Sequence, residues 1–172
     1  ARCLTEKVRT MKRSDREIKN KQEMLDIMRK CDVCRLAFHD GDYPYIVPLN
    51  FGLSVTGDTV ELIFHSALEG HKVDLMRRNN RASFEMDCGH QLQYFETKGY
   101  CTFAYESVIG HGQIIILEDS EKEGALKEIM EQYHPGENAY FNVAAIPRTL
   151  VFKLVVEEMT GKRKELKQIE QS

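Results

Sequence analysis

The chain has 172 residues, of which 42% are hydrophobic and 30% are charged, and its formal net charge at pH 7 is −3. This length predicts one domain whose core buries roughly 70% of the unfolded surface. The small negative charge argues against partners such as nucleic acid or anionic membranes. No apolar run approaches the roughly 20 residues that cross a bilayer. The five cysteines lack the spacing of a disulfide framework, so we expect a reducing, cytoplasmic location.

The first part of the chain predicts a helix followed by three strands. Residues 1–13 are basic and have no periodicity, so we interpret them as an arm that precedes the domain. Ser14 and Glu17 form a capping-box pattern at the start of a helix that runs to about residue 30. Apolar segments separated by Asp-Gly and Gly-Asp turns then predict strands at residues 33–38, 45–53 and 59–65. Pro48 has no backbone donor, which indicates an edge strand or a bulge.

The second part predicts two more helices among further strands. Apolar periodicity favours helices at about 67–79 and, within an acidic segment, at 118–133. The strand patterns cover residues 81–87, 98–106, 107–118 and 149–162. Gly110 interrupts this pattern, which we interpret as a second interrupted edge. Residues 166–172 are charged and form a tail.

This order of elements predicts the fold class, which is mainly β with flanking helices. Strands joined by short hairpins, with few helices between them, argue against a parallel doubly wound sheet. A six-stranded antiparallel barrel, or a strongly curved sheet with helices at its ends, fits better. One domain should span residues 14–165. Interrupted edges at Pro48 and Gly110 are places where a second copy of the chain can pair, so we expect a symmetric homodimer.

The connection "FHSALEGHK" carries the groups that a phosphate site needs. Ser66 and Glu69 form a second capping-box pattern, and the start of a helix presents free N–H groups that favour anions. Gly70 would let a ligand approach the backbone, while His71 and Lys72 add an imidazole and an ammonium group. An ordinary strand-to-helix turn with a solvated lysine is the alternative, and local chemistry leaves both interpretations open.

Five stretches of the chain, taken in order, resemble one known family. They are "PYIVPLNFG", "FHSALEGHKVDLMRRN", "SFEMD", "YESVIGHGQ" and "EMTGK". Together they are similar to the pyridoxamine phosphate oxidase-like, FMN-binding split-barrel proteins, and most similar to the branch with the nitroimidazole-resistance proteins. The resemblance covers about residues 14–165. It implies an antiparallel split β-barrel, a homodimer, and FMN in a groove at the dimer interface.

The resemblance also implies which residues contact the flavin. The strand under the flavin ring and the turn that lines it match Pro48, Leu49, Asn50, His65, Ser66 and Ala67. The phosphate side, the closing strand pair and the C-terminal segment match Gly70, His71, Lys72, Ser107, Val108, Gly161 and Lys162. His71 is in addition the candidate catalytic proton donor. The C-terminal arginine and histidine pattern of true pyridoxamine phosphate oxidases is absent, so the resemblance implies the flavin without the vitamin B6 reaction.

Two other patterns have simpler explanations than a functional site. Cys31 and Cys34 have the spacing of a redox pair or half a zinc site, but Cys34 begins a strand and no second pair exists. We therefore interpret both as small hydrophobic residues. The sequence "HDGD" at residues 39–42 is explained by its hairpin turn, so we expect no metal there. His111 between two glycines is either a groove residue or an exposed strand residue.

Three functions remain open at this point. The first is an FMN-dependent oxidoreductase that reduces a small electrophile such as a nitroaromatic compound, with a nicotinamide cofactor as electron donor. The second is a flavin-binding sensor or storage protein without turnover. The third is a haem-binding relative on the same barrel, with a histidine as axial ligand.

Overall fold

A computed structural model describes residues 11–137 and 142–167 of the chain. The predicted fold class, mainly β with flanking helices, is confirmed, although the sheet has eight strands where six were expected. The three helices are α1 (Lys21–Lys30), α2 (His71–Arg78) and α3 (Asp119–Tyr133). The strands are β1 (Glu17–Ile18), β2 (Cys34–Asp40), β3 (Tyr43–Leu49), β4 (Gly52–Thr56), β5 (Thr59–Ala67), β6 (Arg81–Phe95), β7 (Tyr100–Ile116) and β8 (Thr149–Lys164). Most of the predicted arm and tail lies outside the described residues.

The strands form one antiparallel sheet that does not close. Their order across the sheet is β3-β2-β6-β7-β8-β5-β4, and β1 adds a short pairing to β8. β3 and β4 are therefore the two edges, and no pairing joins them within the described ranges. Hairpins join three of the six neighbouring pairs in this order, β2–β3, β4–β5 and β6–β7, and the other three pairs bring together strands that are distant along the chain. The result is a curved sheet with a split between its first and last strands.

The single strand predicted at residues 45–53 is two strands at opposite edges of the sheet. The chain leaves β3 after Leu49, and Asn50 and Phe51 carry it across the split into β4. Tyr133 holds this crossing in place, because its hydroxyl accepts a hydrogen bond from the Phe51 N–H at 3.0 Å and donates one to the Asp32 carbonyl at 2.8 Å. A tyrosine from a distant helix thus divides what reads as one continuous strand.

Pro48 lies on an edge strand, as predicted, but Gly110 does not. β7 is in the middle of the sheet, between β6 and β8, and runs without a break over the two strands predicted at 98–106 and 107–118. A Cβ at Gly110 would lie 2.5 Å from both the Phe84 ring and the Glu158 carbonyl oxygen. The glycine is therefore required by close packing inside the sheet, and it marks no edge.

Both predicted capping boxes are wrong. Residues 14–16 form a 3₁₀ turn, and α1 begins later, where the Asn20 side chain accepts hydrogen bonds from the N–H groups of the first turn. α2 begins at His71, and Gly70 is its N-cap. Ser66 is still in β5, where its hydroxyl donates to the Ala67 carbonyl at 2.9 Å. In the first case Glu17 and Ile18, which follow Ser14, pair with β8. In the second case Ser66 itself pairs with β8, so neither helix starts at its serine.

The helices cover different faces of the sheet. α1 and α2 close the inner face, where the buried residues include Leu36, Phe38, Phe64, Phe84 and Phe152. α3 covers the opposite face of β5 and β8 through Ile63, Ala125, Ile129 and Val151. That second face is left exposed over β3, β2, β6 and β7, as the 60% exposure of Ile46 and 53% exposure of Ile109 indicate. None of the described helices combines the length and apolar character needed to cross a bilayer.

Candidate functional site

Alternate side chains of β3, β2, β6, β7 and β8 form an exposed surface, which we call the outer face. Ladder partners point to the same side of a sheet, so these residues stand in rows that cross the strands. The rows are Ile46–Ala37–Ser83–His111–Glu158, Pro48–Arg35–Glu85–Ile109–Thr160 and Asp87–Ser107–Lys162–Glu17. Small residues, Ala37 and Ser83, occupy the middle of the first row, and larger side chains stand around them.

Two adjoining cavities form a groove across the outer face. The first has a volume of about 430 Å³ and is lined by Ser107, Ile109 and Lys162. The second has a volume of about 370 Å³ and extends toward the end of α2. Ser83 and His111 line both cavities. Each volume lies within the range of about 300–1,000 Å³ that is usual for small-molecule sites, so this outer-face groove is large enough for a cofactor.

The structure brings Ser107 and Lys162 of the predicted site together. They are ladder partners on β7 and β8, and both line the first cavity. Val108, the next residue of β7, points to the other side and is fully buried in the core. Only its backbone can face a ligand on the outer face. Gly161 is buried as well, with Met24 and Ile18 packed where a side chain would be.

The predicted residues Pro48, Leu49 and Asn50 lie on and after edge strand β3. Pro48 is exposed on the outer face, while Leu49 packs against the core. The Asn50 side chain donates to the Tyr133 hydroxyl at 3.2 Å and to the Asp32 carbonyl at 3.3 Å, so it supports the crossing between β3 and β4. An edge strand leaves backbone groups on one side without ladder partners, and these are available to a ligand.

The turn residues His65, Ser66 and Ala67 complete β5. Their ladder partners are Val151, Leu150 and Thr149 on β8. His65 and Ala67 are exposed and Ser66 is half-buried. They form no part of the two cavities of the outer-face groove.

The start of α2 places His71 against a carboxylate that sequence reasoning missed. His71 Nε2 lies 2.5 Å from Asp40 Oδ2, and the Tyr45 ring meets the imidazole edge-on with 5.0 Å between centroids. Gly70 precedes it with a φ of 133°, a conformation that favours glycine. Lys72 is half-buried and forms no ion pair within the residues that the structure describes. The start of α2 therefore offers a cation without a partner beside an anchored imidazole.

Charges on the outer face are distributed unevenly. Arg35 binds Glu85 at 3.1 Å and Asp87 at 2.7 Å, which compensates two carboxylates at the centre of the face. Burial, together with the Asp87 charge, raises the pKa of Glu85. The second cavity is different, since Arg81 and two histidines line it. At the centre one guanidinium group faces two carboxylates, so the net charge there is negative, whereas in the second cavity Glu157 balances the charge of Arg81.

The groove residues Ser83, Ile109 and Arg81 were not predicted. The alternation of outward and inward side chains in "RASFEMD" was the available signal, since it places residues 81 and 83 on one face. Which face remains open depends on where α3 packs, and the pattern contains no information about that. His111 lines the groove and is also half exposed on β7, so both of its interpretations apply.

The cysteine interpretation agrees with the structure. Cys31 and Cys34 are buried, and burial raises the pKa of both thiols, so neither has the character of a reactive thiolate. The cysteines within the described ranges are all free. Those ranges contain no group of three or more side chains placed to hold a metal ion.

Comparison with known proteins agrees with the fold. Residues 20–163 match the family model described as pyridoxamine 5'-phosphate oxidase. A candidate 5-nitroimidazole antibiotic resistance protein of Bacteroides thetaiotaomicron is 32% identical, with 86% of each chain covered and a TM-score of 0.72. A search of curated protein sequences finds no match.

Two more distant structures share the fold alone. An FAD and haem binding protein of Mycobacterium smegmatis is 17% identical, with 91% of this chain and 77% of that chain covered and a TM-score of 0.74. An FAD-binding protein of Mesorhizobium loti is 21% identical, with 87% and 98% covered and a TM-score of 0.64.

The open antiparallel sheet and the groove on its uncovered face define a split-barrel protein. The family match spans nearly the whole domain and agrees with this architecture. The chain belongs to the pyridoxamine 5'-phosphate oxidase family.

Proposed function

We propose that this protein binds FMN and uses it to reduce a small electrophile such as a nitroaromatic compound. The observation that supports this most is the outer-face groove, which has the volume of a cofactor site and contains the predicted residues Ser107 and Lys162. A nicotinamide cofactor is the proposed electron donor, and the free thiols fit a cytoplasmic setting. Bound FMN supplies the hydride and electron chemistry, while the protein positions the flavin and admits the substrate.

The residues around the groove suit the parts of a flavin nucleotide. Small side chains at Ala37 and Ser83 leave a flat surface for a planar ring. Unpaired backbone groups of edge strand β3 can bond the polar edge of that ring. Lys72 lines neither cavity of the groove, but it has no carboxylate partner in the described part of the chain and is the proposed contact for the phosphate.

His71 is the proposed proton donor to the substrate. Asp40, at 2.5 Å from Nε2, fixes the orientation of the imidazole, and Tyr45 packs against its edge. A histidine held in this way can transfer a proton near neutral pH, when one nitrogen is anchored and the other is free. The role of Asp40 is therefore to position His71.

The outer face also supports assembly into a homodimer. β7 is 17 residues long, and at about 3.3 Å per residue it gives a surface roughly 56 Å in length. With its two neighbouring strands, spaced about 4.8 Å apart, the exposed strip approaches the roughly 800 Å² that each partner buries in a standard interface. The exposed apolar residue Ile109 lies on this strip, and exposed Ile46 lies on the same face at edge strand β3.

We expect sedimentation equilibrium at micromolar concentration to give the mass of a dimer. Replacing Ile109 by lysine should shift the protein toward monomer, because a charge would be buried in the interface. Leu68→Lys, at an exposed position away from the outer face, is the control and should leave the dimer intact. A parent protein that sediments as a monomer would contradict the proposed assembly.

Replacing Lys72 by alanine is expected to weaken FMN binding by about 1–3 kcal/mol, because a charge-assisted hydrogen bond to the phosphate is lost. Riboflavin, which lacks the phosphate, should bind equally to both proteins. Lys127→Ala is the control, since that lysine is on the far side of α3 with Glu123 at 2.9 Å. Fluorescence titration of the three proteins with FMN and with riboflavin measures the six affinities. Equal FMN affinity in the parent and in Lys72→Ala would contradict the proposal that Lys72 binds the phosphate.

A visible absorption spectrum tests the proposed function directly. Protein reconstituted with FMN should show flavin bands, which bleach on addition of a nicotinamide cofactor and return on addition of a nitroaromatic compound. Stable flavin bands without turnover would instead favour a sensor or storage protein. A Soret band after incubation with haem would favour the haem alternative, for which exposed His111 in the groove is the candidate ligand.

A further inference from the structure

The second cavity of the outer-face groove has a lining unlike the rest of the face. It lies between β2, β6 and β7 next to the end of α2, and its volume is about 370 Å³. Its side chains include His39, Arg81 and His111, one from each of the three strands. The only carboxylate among the described residues that line it is Glu157, whose Oε1 accepts a hydrogen bond from the Gln113 amide at 2.5 Å.

Arg81 has an unused guanidinium group in this cavity. Arg35 and Arg163 each bind a carboxylate at 2.7 Å. Arg81, by contrast, forms neither an ion pair nor a side-chain hydrogen bond within the described ranges, and only its backbone N–H is engaged, by Asn79 at 3.1 Å. A planar guanidinium group with free donors beside a cavity is suited to bind a phosphate or carboxylate in bidentate fashion.

The two histidines stand on either side of Arg81 at fixed spacing. His39 extends from β2 and His111 from β7, and β6 lies between these strands. Neighbouring strands are about 4.8 Å apart, and His111 pairs with Ser83, two residues along β6 from Arg81, so the two imidazoles project from backbones roughly 12 Å apart. An anion between them can accept hydrogen bonds from both rings and from the guanidinium group, in competition with Glu158, which lies 3.8 Å from His111 Nε2. Pairing of β6 with β7 fixes Arg81 and His111 relative to each other, while the pairing of β2 with β6 ends one residue before His39.

We propose that His39, Arg81 and His111 form a phosphoryl-binding site at the α2 end of the outer-face groove. The ligand is the phosphate or diphosphate of a nucleotide whose remaining part extends along the groove. This site is separate from the one proposed at Lys72, and it goes beyond the flavin proposal because its binding can be measured without a flavin.

Calorimetric titration of the flavin-free protein with inorganic pyrophosphate tests this site. Arg81→Ala is expected to weaken binding by about ten- to a hundredfold, the equivalent of one or two charge-assisted hydrogen bonds. Arg81→Lys should give an intermediate affinity, because it keeps the charge and loses the planar fork. Arg77→Ala removes an exposed arginine of α2 that does not line the cavity, and it should leave the affinity unchanged.

Imidazole NMR signals provide a second measurement that does not depend on a variant. Pyrophosphate should shift the signals of His39 and His111 and leave those of His65 and His134 in place. No saturable binding, or equal weakening by Arg77→Ala and Arg81→Ala, would overturn the proposal. If Arg81→Ala fails to fold, the pyrophosphate affinity of Arg81→Lys and the imidazole signals of the parent protein still test the proposal.

Competition identifies the source of the phosphoryl group. If neither FMN nor riboflavin blocks pyrophosphate, the site serves another phosphorylated reactant, such as a dinucleotide electron donor, and the proposal is supported. If bound FMN blocks pyrophosphate and bound riboflavin does not, pyrophosphate occupies the place of the flavin phosphate, and the proposal of a separate site is overturned. If the parent protein binds FMN but does not bind pyrophosphate, this inference is disproved and the proposal at Lys72 still stands.

Discussion

Replacing Gly112 by alanine is expected to lower the free energy of unfolding by about 3 kcal/mol, at the upper end of typical overpacking costs. A Cβ at this position would lie 2.0 Å from the Val155 carbonyl oxygen, which belongs to the backbone of β8 and cannot rotate away. The strands are closest here because of a β-bulge, in which Glu157 has no partner on β7. The bulge also shapes the second cavity, which Gly112 helps to line.

Gly124→Ala is the matched control for this variant. Gly124 lies within α3, and no atom comes within 4 Å of the position that its Cβ would occupy. Alanine should therefore stabilise the protein by about 0.5–1 kcal/mol, through its better helix propensity. Denaturant unfolding of the parent and both variants measures the two changes. If Gly112→Ala and Gly124→Ala had equal denaturant midpoints, β8 would have moved away from the added methyl group without loss of stability, which would contradict the prediction.

Replacing Glu106 by glutamine is expected to destabilise the protein by about 2 kcal/mol at pH 7, within the range for hydrogen bonds to charged groups, because its ion pairs are only partly buried. Glu106 accepts from Arg163 Nε at 2.7 Å and from Lys30 at 2.9 Å. It thus joins α1 and the end of β8 to β7, next to Ser107 in the groove. Removing its charge takes away the partner of Lys30 and leaves Arg163 with Glu23 alone, at 2.8 Å.

This destabilisation should depend on pH in a defined direction. Partial burial alone would raise the pKa of Glu106, but the hydrogen bonds from Lys30 and Arg163 outweigh it and hold that pKa below the ordinary value of 4.5. A carboxyl with a lowered pKa in the folded state stabilises the fold above its unfolded value, and this contribution disappears as pH falls through the folded value. The difference between parent and Glu106→Gln should therefore be constant above about pH 5 and shrink below pH 4.5.

Glu123→Gln is the control for the pH series. Its carboxylate pairs with Lys127 at 2.9 Å, but both side chains are more than half exposed, so we expect a change of at most about 0.5 kcal/mol. Thermal or urea unfolding between pH 3 and 8 is the measurement. A Glu106→Gln difference that is small, or that grows as the pH falls, would contradict the assigned role of the ion pairs.

Local patterns in the sequence were enough for most of the elements. Alternation and turn residues predicted β2, β5 and β8 within a few residues, and periodicity predicted α3 from the acidic segment. They failed where a distant group decides the local structure. Tyr133 holds the chain where it leaves β3, before Asn50. Strand pairing keeps Ser66 in β5, so α2 begins at His71 and not at the predicted position near residue 67.

The candidate site was predictable only in part, for a related reason. Ser107 and Lys162 came from the family resemblance, and the register of β7 with β8 makes them neighbours. The contact between Asp40 and His71 joins residues that are far apart in sequence, and nothing in either segment specifies it. The Val108 side chain points into the core next to a groove residue, so the predicted contact of this residue with a ligand is left to its backbone.

The sequence by itself determined that the fold is mainly β with short hairpins, since side-chain alternation and turn chemistry are local properties. Family membership was also readable, because it depends on an ordered set of short motifs. Only the tertiary structure decided that the sheet stays open, that α3 covers one end of its outer face, and that Arg81, His39 and His111 meet there. Strand order and helix packing depend on contacts between segments that are distant along the chain. The energies of these contacts arise only in the folded structure, so local sequence patterns do not report them.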